Sequence, residues 1–286
     1  MKIKNAAVIG TGMLGTQIAI QAVCHHYNVT TFDIDRASFG RVLELLKIRM
    51  RNSARKPTIP WPQMKRGAKM VQPCANLKEA VNRADLVIEA VPENLALKRK
   101  VFKQLDTLTP EKAILATNSS SIPVSRLETA THRPGRCLNI HFYGLDQGRN
   151  IVDVMGGIRT SPHILKTGRD WVQSIGCIPL TVKKEILGFC FNRVWRAIKR
   201  EVLYMWAGGY VDFKDIDRGW MNWAGMAMGP FGLMDNIGLD VVYDIEMVYY
   251  NESKDRRDRP PQALKAMIDR GNLGLKTGKG FYTYPN

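Results

Sequence analysis

Residues 5–23 read NAAVIGTGMLGTQIAIQAV: a short apolar run, a turn punctuated by glycines, then apolar residues recurring at helical spacing through Leu14, Ile18 and Ala22. Within it Gly10, Thr11, Gly12, Met13, Leu14 and Gly15 spell GxGxxG. Each glycine has a task. Gly10 permits the tight strand-to-helix turn, Gly12 lets backbone approach a pyrophosphate, and Gly15 lets helix pack on strand, while the helix start offers unpaired N–H groups to the phosphates. By itself GxGxxG is a common pattern, and a glycine turn without a nucleotide is the competing reading. Context decides here: a second strand, NVTTFDID, ends on Asp33, twenty-three residues after Gly10. An acid there accepts the adenosine ribose hydroxyls and repels an added 2′-phosphate, so the expected cofactor is NAD. Asp35 is a second candidate for that contact, and Ile34 between them offers no cation.

Outward from this unit, strand-like and helix-like segments alternate. ADLVIEAV (84–91), AILATNSS (113–120) and CLNIHFY (137–143) read as buried strands, with LALKRKVFKQLD (95–106) as a helix, and IVDVMGG and CIPLTVKK add two more strands. That alternation predicts an α/β fold with a doubly wound, mostly parallel sheet covered on both faces. After Lys184 the period changes to helical, through Phe191, Val194, Trp195, Ile198, Val202 and Met205, until GFYTYP at the end. Two domains are expected: a dinucleotide-binding domain over 1–184 and an all-α domain over 185–286.

The chain has 286 residues, nearly half of them apolar, and a net charge of +16. This is the composition of a folded protein with a sizeable core. Between 36 and 70 there are ten Lys or Arg against the single acid Glu44, so more than half the excess charge sits in one segment. Prolines at 57, 60 and 62 split it into two predicted helices. Such a segment attracts a phosphate-rich ligand or is a solvated basic face. Nucleic-acid binding is disfavoured, since the segment has few aromatics beyond Trp61 and no recognised module. No apolar run reaches membrane-spanning length, and the start has no charged-then-apolar leader, so a cytoplasmic protein with no membrane partner is expected. Five scattered cysteines without CxxC or Cys/His pairing suggest reduced thiols, with no disulfide framework and no metal site.

A histidine ends one predicted strand, His141, and an aspartate lies in the next, Asp153. A histidine at a strand end is often structural. Several long motifs weigh against that here: VIGTGMLG, DLVIEAVPENLALKRKVF, ATNSSSIPV, NIHFY, GFCFNRV, MGPFGLMDNIGLD and GLKTGKGFYTYP, in this order. With them the chain resembles, nearly end to end, the 3-hydroxyacyl-CoA dehydrogenase family of NAD-dependent enzymes. The resemblance implies a Rossmann-type domain carrying a basic helical arm after its second strand, then a helical domain that forms a homodimer interface. It implies a histidine base paired with a carboxylate twelve residues later, matching His141 and Asp153. A serine twenty-one residues before the histidine, here Ser120, and the asparagine of GFxxNR, here Asn192, are implied as donors to the substrate oxygen. Ser119 and Ser121 are read as structural turn residues. Ala90, Glu93, Lys98 and Asn118 are implied beside the nicotinamide and its ribose; for Lys98 a solvated surface lysine is the alternative.

These residue types suit the chemistry. Oxidising a secondary alcohol requires removal of the hydroxyl proton as hydride leaves carbon, and imidazole titrates near neutrality. A carboxylate on its other nitrogen fixes the tautomer, and donors on the oxygen favour its developing charge.

Two positions depart from the family pattern. The family usually carries glutamate where Asp153 stands, so direct contact with His141 needs strands about an ångström closer, or a bridging water. The family also continues from the histidine through F-x-N-P, whereas here Gly144 to Arg149 follows, bringing Asp146 and Arg149 as groups to meet a differently charged substrate. Three readings follow: a dehydrogenase of a 3-hydroxyacyl-CoA or related 3-hydroxy compound, with Lys47, Arg51 and Lys65 as candidates for the CoA phosphates; a dehydrogenase of a non-CoA hydroxy acid or other secondary alcohol; and a dinucleotide-binding protein without catalysis.

Overall fold

The short connection between residues 142 and 151 shapes one half of the sheet. In the computed structural model, which describes residues 2–52 and 56–284, the strands are β1 (Asn5–Ile9), β2 (Asn28–Phe32), β3 (Gln72–Pro73), β4 (Leu86–Glu89), β5 (Ile114–Thr117), β6 (Cys137–Phe142), β7 (Ile151–Gly156) and β8 (Ile178–Val182). They form one sheet in the order β3-β2-β1-β4-β5-β6-β7-β8. Every pairing is parallel except β6 with β7. A parallel return needs a crossover of a dozen or more residues, and the loop after β6 is too short for one, so β7 runs back antiparallel. Residues 53–55, inside the predicted basic arm, and residues 285–286, of which Pro285 ends the last motif, lie outside the described residues.

The first unit carries seven helices among the described residues: α1 (Met13–Cys24), α2 (Ser38–Asn52), α3 (Trp61–Ala68), α4 (Leu77–Val81), α5 (Leu95–Leu108), α6 (Ser125–Glu128) and α7 (Pro162–Ser174). Strand residues alternate between two cores, as a period of two requires. Val8, Ile88, Ile140 and Val154 pack with α1, α2, α3 and α7 through Ile18, Leu46, Met64 and Trp171. Ala7, Val87 and Leu115 pack on the other face with Phe102 and Leu105 of α5 and Leu127 of α6. The sheet is therefore covered on both sides, which explains why its central strands β4 and β5 are apolar up to their last residues, Glu89 and Thr117. No helix among the described residues is long and apolar enough to cross a membrane.

The basic segment carries α2 and α3, with Pro57 and Pro60 between them and Pro62 in the first turn of α3. One side of it is core: Leu46, Ile59 and Met64 are buried with α1. A side chain at Gly67 would place Cβ 2.5 Å from Cys24 Sγ, so glycine allows α3 to lie close on α1.

The compact units part after Phe191. Residues 185–190, assigned from the sequence to the second domain, belong to the first by contact: Glu185 accepts from Ser125 N at 3.1 Å, and Phe189 is buried. The second unit holds α8 (Phe191–Ala207), whose first residue lies at the boundary, α9 (Phe213–Ala224), α10 (Pro230–Ile237), α11 (Leu239–Ser253) and α12 (Gln262–Asp269). Its core includes Val202, Leu203, Phe231, Met234, Val242 and Leu264. Two buried aspartates organise it. Asp217 accepts from the N–H groups of Phe231 and Gly232, at the start of α10, at 2.8 and 2.9 Å. Asp235 accepts from those of Phe281 and Tyr282 at 3.0 and 2.9 Å, which pins residues 280–284 as an irregular strap, joined to Lys279 by an isolated bridge at Thr283.

Candidate active site

The strand order reverses at β1, which pairs with β2 on one side and β4 on the other, and a parallel sheet opens a ligand crevice at such a point beyond the strands' carboxyl ends. The glycine loop lies there. Gly10 has φ +97°, and a Cβ on it would fall 2.6 Å from the Ala90 carbonyl oxygen. A Cβ on Gly15 would fall 1.9 Å from the Gly10 oxygen. Gly12 differs: a Cβ there meets nothing within 4 Å. Gly10 and Gly15 are demanded by the protein's own packing, and Gly12 leaves open space before the start of α1. That helix has no side-chain cap and no acid in its first turn, so its N–H groups and dipole suit a pyrophosphate. Gly10, Gly12, Met13, Leu14 and Gly15 thus fit a dinucleotide.

Asp33, just past β2, is tied to the same loop, accepting from Thr11 N at 2.6 Å and Thr11 Oγ1 at 3.1 Å. Asp35 is engaged differently, in an exposed ion pair with Arg41 of α2.

Lys98 is not a solvated helix lysine. It is 1 % exposed, with Nζ 2.8 Å from Glu89 Oε1, 3.3 Å from Glu93 Oε2 and 3.1 Å from the Val91 carbonyl. Glu89 ends β4 fully buried and also accepts from Val91 N and Thr117 Oγ1, each at 2.7 Å. Glu89 and Thr117 escaped the sequence reading. Their signal was an acid closing the apolar run LVIE with a lysine nine residues on. Glu93 gathers the next turn, accepting from Ser119 Oγ at 2.6 Å, Ser121 Oγ at 2.7 Å and Ser121 N at 2.9 Å. Burial pulls the Glu93 carboxyl upward, but these hydrogen bonds and the Lys98 charge hold it below its usual range. Ser119 and Ser121 therefore shape the turn, and Ser120 between them is exposed.

Asn118 links β5 to β6. Its N–H donates to the Glu89 carbonyl at 2.8 Å, and its Oδ1 accepts from Phe142 N at 2.9 Å, one residue beyond His141. Asn192 is the second residue of α8 and the first of the second unit.

His141 lies directly opposite Asp153 in the antiparallel β6–β7 register. Both are buried, and Nδ1 stands 3.4 Å from Asp153 Oδ2. The contact is direct and long, as a carboxylate one methylene short should give. Tyr143, which the sequence reading passed over, donates its hydroxyl to the same Oδ2, and Cys190 N lies 3.4 Å from Oδ1. The imidazole stacks on Phe189, centroids 5.3 Å apart at 15°, and meets the Tyr143 ring edge-on at 4.5 Å. Phe189 holds φ +54°, a conformation that disfavours a bulky residue and here aims its ring at His141.

The divergent loop corrects one expectation. Asp146 does not present its charge to a substrate: it is 1 % exposed, its Oδ2 is 2.9 Å from Arg49 Nε of α2, and its N–H donates to Gln17 Oε1 at 3.0 Å. The Arg49 contact is ionic, since neither Asp146 oxygen has hydrogen-bond geometry to a partner among the described residues. Thr58 N donates to the Leu145 carbonyl at 3.1 Å, and a side chain at Gly148 would strike the Lys56 carbonyl. The loop is docked on the basic segment, while Arg149 is exposed.

The family model described as the 3-hydroxyacyl-CoA dehydrogenase NAD-binding domain matches residues 5–186, and that of the family's C-terminal domain matches residues 188–284. The chain belongs to the 3-hydroxyacyl-CoA dehydrogenase family. It is an NAD-dependent oxidoreductase acting on CH–OH, which sets aside the reading without catalysis. It is 32 % identical to a probable 3-hydroxybutyryl-CoA dehydrogenase of Bacillus subtilis, over 99 % of this chain and 98 % of that one. It is 30 % identical to a 5-formyl-3-hydroxy-2-methylpyridine 4-carboxylate 5-dehydrogenase of Mesorhizobium japonicum, over 99 % and 91 %. The solved structure of an (S)-3-hydroxybutyryl-CoA dehydrogenase from Ralstonia eutropha superposes with a TM-score of 0.87 at 28 % identity, each chain covered completely.

The Glu89–Lys98 pair generates a prediction. Replacing Lys98 by Ala leaves Glu89 buried without its cation and should cost about 3 kcal/mol or more. Thermal or denaturant unfolding measures the loss, and an unfolding midpoint equal to that of the unaltered protein would refute it.

Proposed function

We propose that the protein oxidises the secondary alcohol of a 3-hydroxyacyl-CoA or closely related 3-hydroxy compound to the ketone, or runs the reverse, with His141 as general base in oxidation and general acid in reduction. The observation that carries this reading is the buried His141 facing Asp153 across β6 and β7 with Nδ1 toward the carboxylate. Asp153 then keeps the Nδ1 proton in place, and Nε2, on the other side of the ring, takes the hydroxyl proton. The carboxylate stabilises the imidazolium that forms. Ser120 and Asn192 donate hydrogen bonds to the substrate oxygen, favouring alkoxide character as the proton leaves.

NAD, when bound, supplies the hydride acceptor. Gly10, Gly12, Met13, Leu14 and Gly15 hold its pyrophosphate and Asp33 its adenosine ribose, while Ala90, Glu93, Lys98 and Asn118 serve the nicotinamide side. Lys98 acts there mainly through Glu93 and Glu89, whose turns it holds. Replacing His141 by Gln should abolish turnover while NAD still binds, measured by initial rates and cofactor fluorescence; retention of more than about a few per cent of activity defeats the assignment.

The CoA assignment draws on the basic segment. Lys47, Arg51 and Lys65 are its candidates for CoA phosphates, whereas Arg49 already serves Asp146. Changing all three to Glu should raise the Michaelis constant for 3-hydroxybutyryl-CoA by roughly tenfold or more through lost phosphate attraction. The second reading, a non-CoA hydroxy acid or other alcohol, is favoured by the exposed Arg149 of the divergent loop and by the Mesorhizobium relative, a dehydrogenase of a pyridine carboxylate. In a panel of paired CoA and CoA-free alcohols, absence of a CoA preference would select it.

A cytoplasmic homodimer completes the proposal. On α11, Val241, Ile245 and Val248 are exposed at spacings of four and three residues, one face of a helix, and Trp223 on α9 is 84 % exposed. Apolar surface of this kind suits association of two helical units. Sedimentation at micromolar concentration should give twice the chain mass, and a monomer would count against it.

A further inference from the structure

The shorter acid at position 153 leaves a problem of position. Asp153 is fully buried in β7, and a buried carboxylate needs donors to hold its rotamer. Two of its contacts are long: His141 Nδ1 at 3.4 Å from Oδ2 and Cys190 N at 3.4 Å from Oδ1. The Tyr143 hydroxyl makes the close one, donating to the oxygen that faces His141. Tyr143 is itself fixed, its ring edge-on to the imidazole at 4.5 Å and to Phe191 at 5.7 Å. It leaves β6 two residues after His141, so it projects from the same face of the chain's path and meets both members of the pair.

We propose that Tyr143 is a positioning residue for the reaction, its hydroxyl holding the Asp153 carboxylate in reach of His141 where a longer acid would reach unaided. The inference rests on the reading of His141 as the base. A phenol donating to one carboxylate oxygen turns the pair into a line of three, Tyr143–Asp153–His141. The hydroxyl fixes the carboxylate's rotation, and the carboxylate fixes the Nδ1 proton of the imidazole. Without the hydroxyl, Asp153 keeps its place in β7 but loses its close donor, and the aim of the imidazole loosens as the substrate proton is transferred. The ring remains as packing in a Tyr143→Phe variant, which isolates the hydroxyl.

Initial rates with NAD and 3-hydroxybutyryl-CoA, or the CoA-free alcohol of the panel if that one is preferred, test this. Tyr143→Phe should lower kcat roughly tenfold or more with both Michaelis constants nearly unchanged, since misplacement of a reacting group is felt in the chemical step. Adding Asp153→Glu to Tyr143→Phe should restore most of the loss, because the extra methylene carries the carboxylate to the imidazole without the hydroxyl. A purely structural hydroxyl predicts no such rescue. Tyr143→Phe with an unaltered kcat, or a double variant no faster than the single one, overturns the proposal. Loss of turnover in His141→Gln together with a fully active Tyr143→Phe would overturn this inference alone, whereas an active His141→Gln would overturn the base assignment beneath it.

Discussion

A connection of eight residues cannot carry the chain from one end of a strand to the other by way of a helix. That limit governs the half of the sheet that carries His141 and Asp153. Because β7 must turn back on β6, residues twelve apart in the chain become direct cross-strand partners, and His141 meets Asp153 inside a hydrogen-bonded ladder. A side chain held that way has its backbone fixed on both strands. The reach of the acid is then set by side-chain length alone, and the 3.4 Å separation is what aspartate leaves. The same turn aims Tyr143 and docks the rest of the loop on Gln17, Arg49 and Thr58.

The carboxyl ends of the neighbouring parallel strands are stabilised by a different device. Glu89 and Lys98 are both buried, and each uses several polar partners, so the charges are compensated where water is excluded. Their effect is geometric. Glu89 receives the Thr117 hydroxyl from β5, and its backbone carbonyl receives Asn118, whose side chain in turn receives Phe142 of β6. Three strand ends are thereby joined by side-chain bonds just beyond the regular ladder. Glu93 adds the serine turn, leaving Ser120 exposed between two anchored neighbours.

Much of the fold was legible because its signals are local. Glycines at 10, 12 and 15, apolar strands and prolines at 57, 60 and 62 act on the backbone within a few residues, and the helices and strands appear where those patterns predicted them. The family motifs extended that reading to candidate residues distant in sequence. Less legible were residues whose role depends on a partner far along the chain. Lys98 sits among other cations on a helix and reads as a surface residue until Glu89 is seen beneath it. Asp146 reads as a charge free to meet substrate until Arg49, from a helix nearly a hundred residues earlier, is found beside it.

The amino-acid sequence by itself determined the doubly wound sheet, the nucleotide loop and the family, since periodicity, glycine placement and motif order are properties of neighbouring residues. The tertiary structure decided which charges are buried, that Tyr143 shares an oxygen of Asp153 with His141, and that the divergent loop is bound to the basic segment. Those outcomes depend on distances between side chains from separate strands and helices. A one-methylene difference in reach, or the burial of a single lysine, exists only once the sheet has brought its strand ends together.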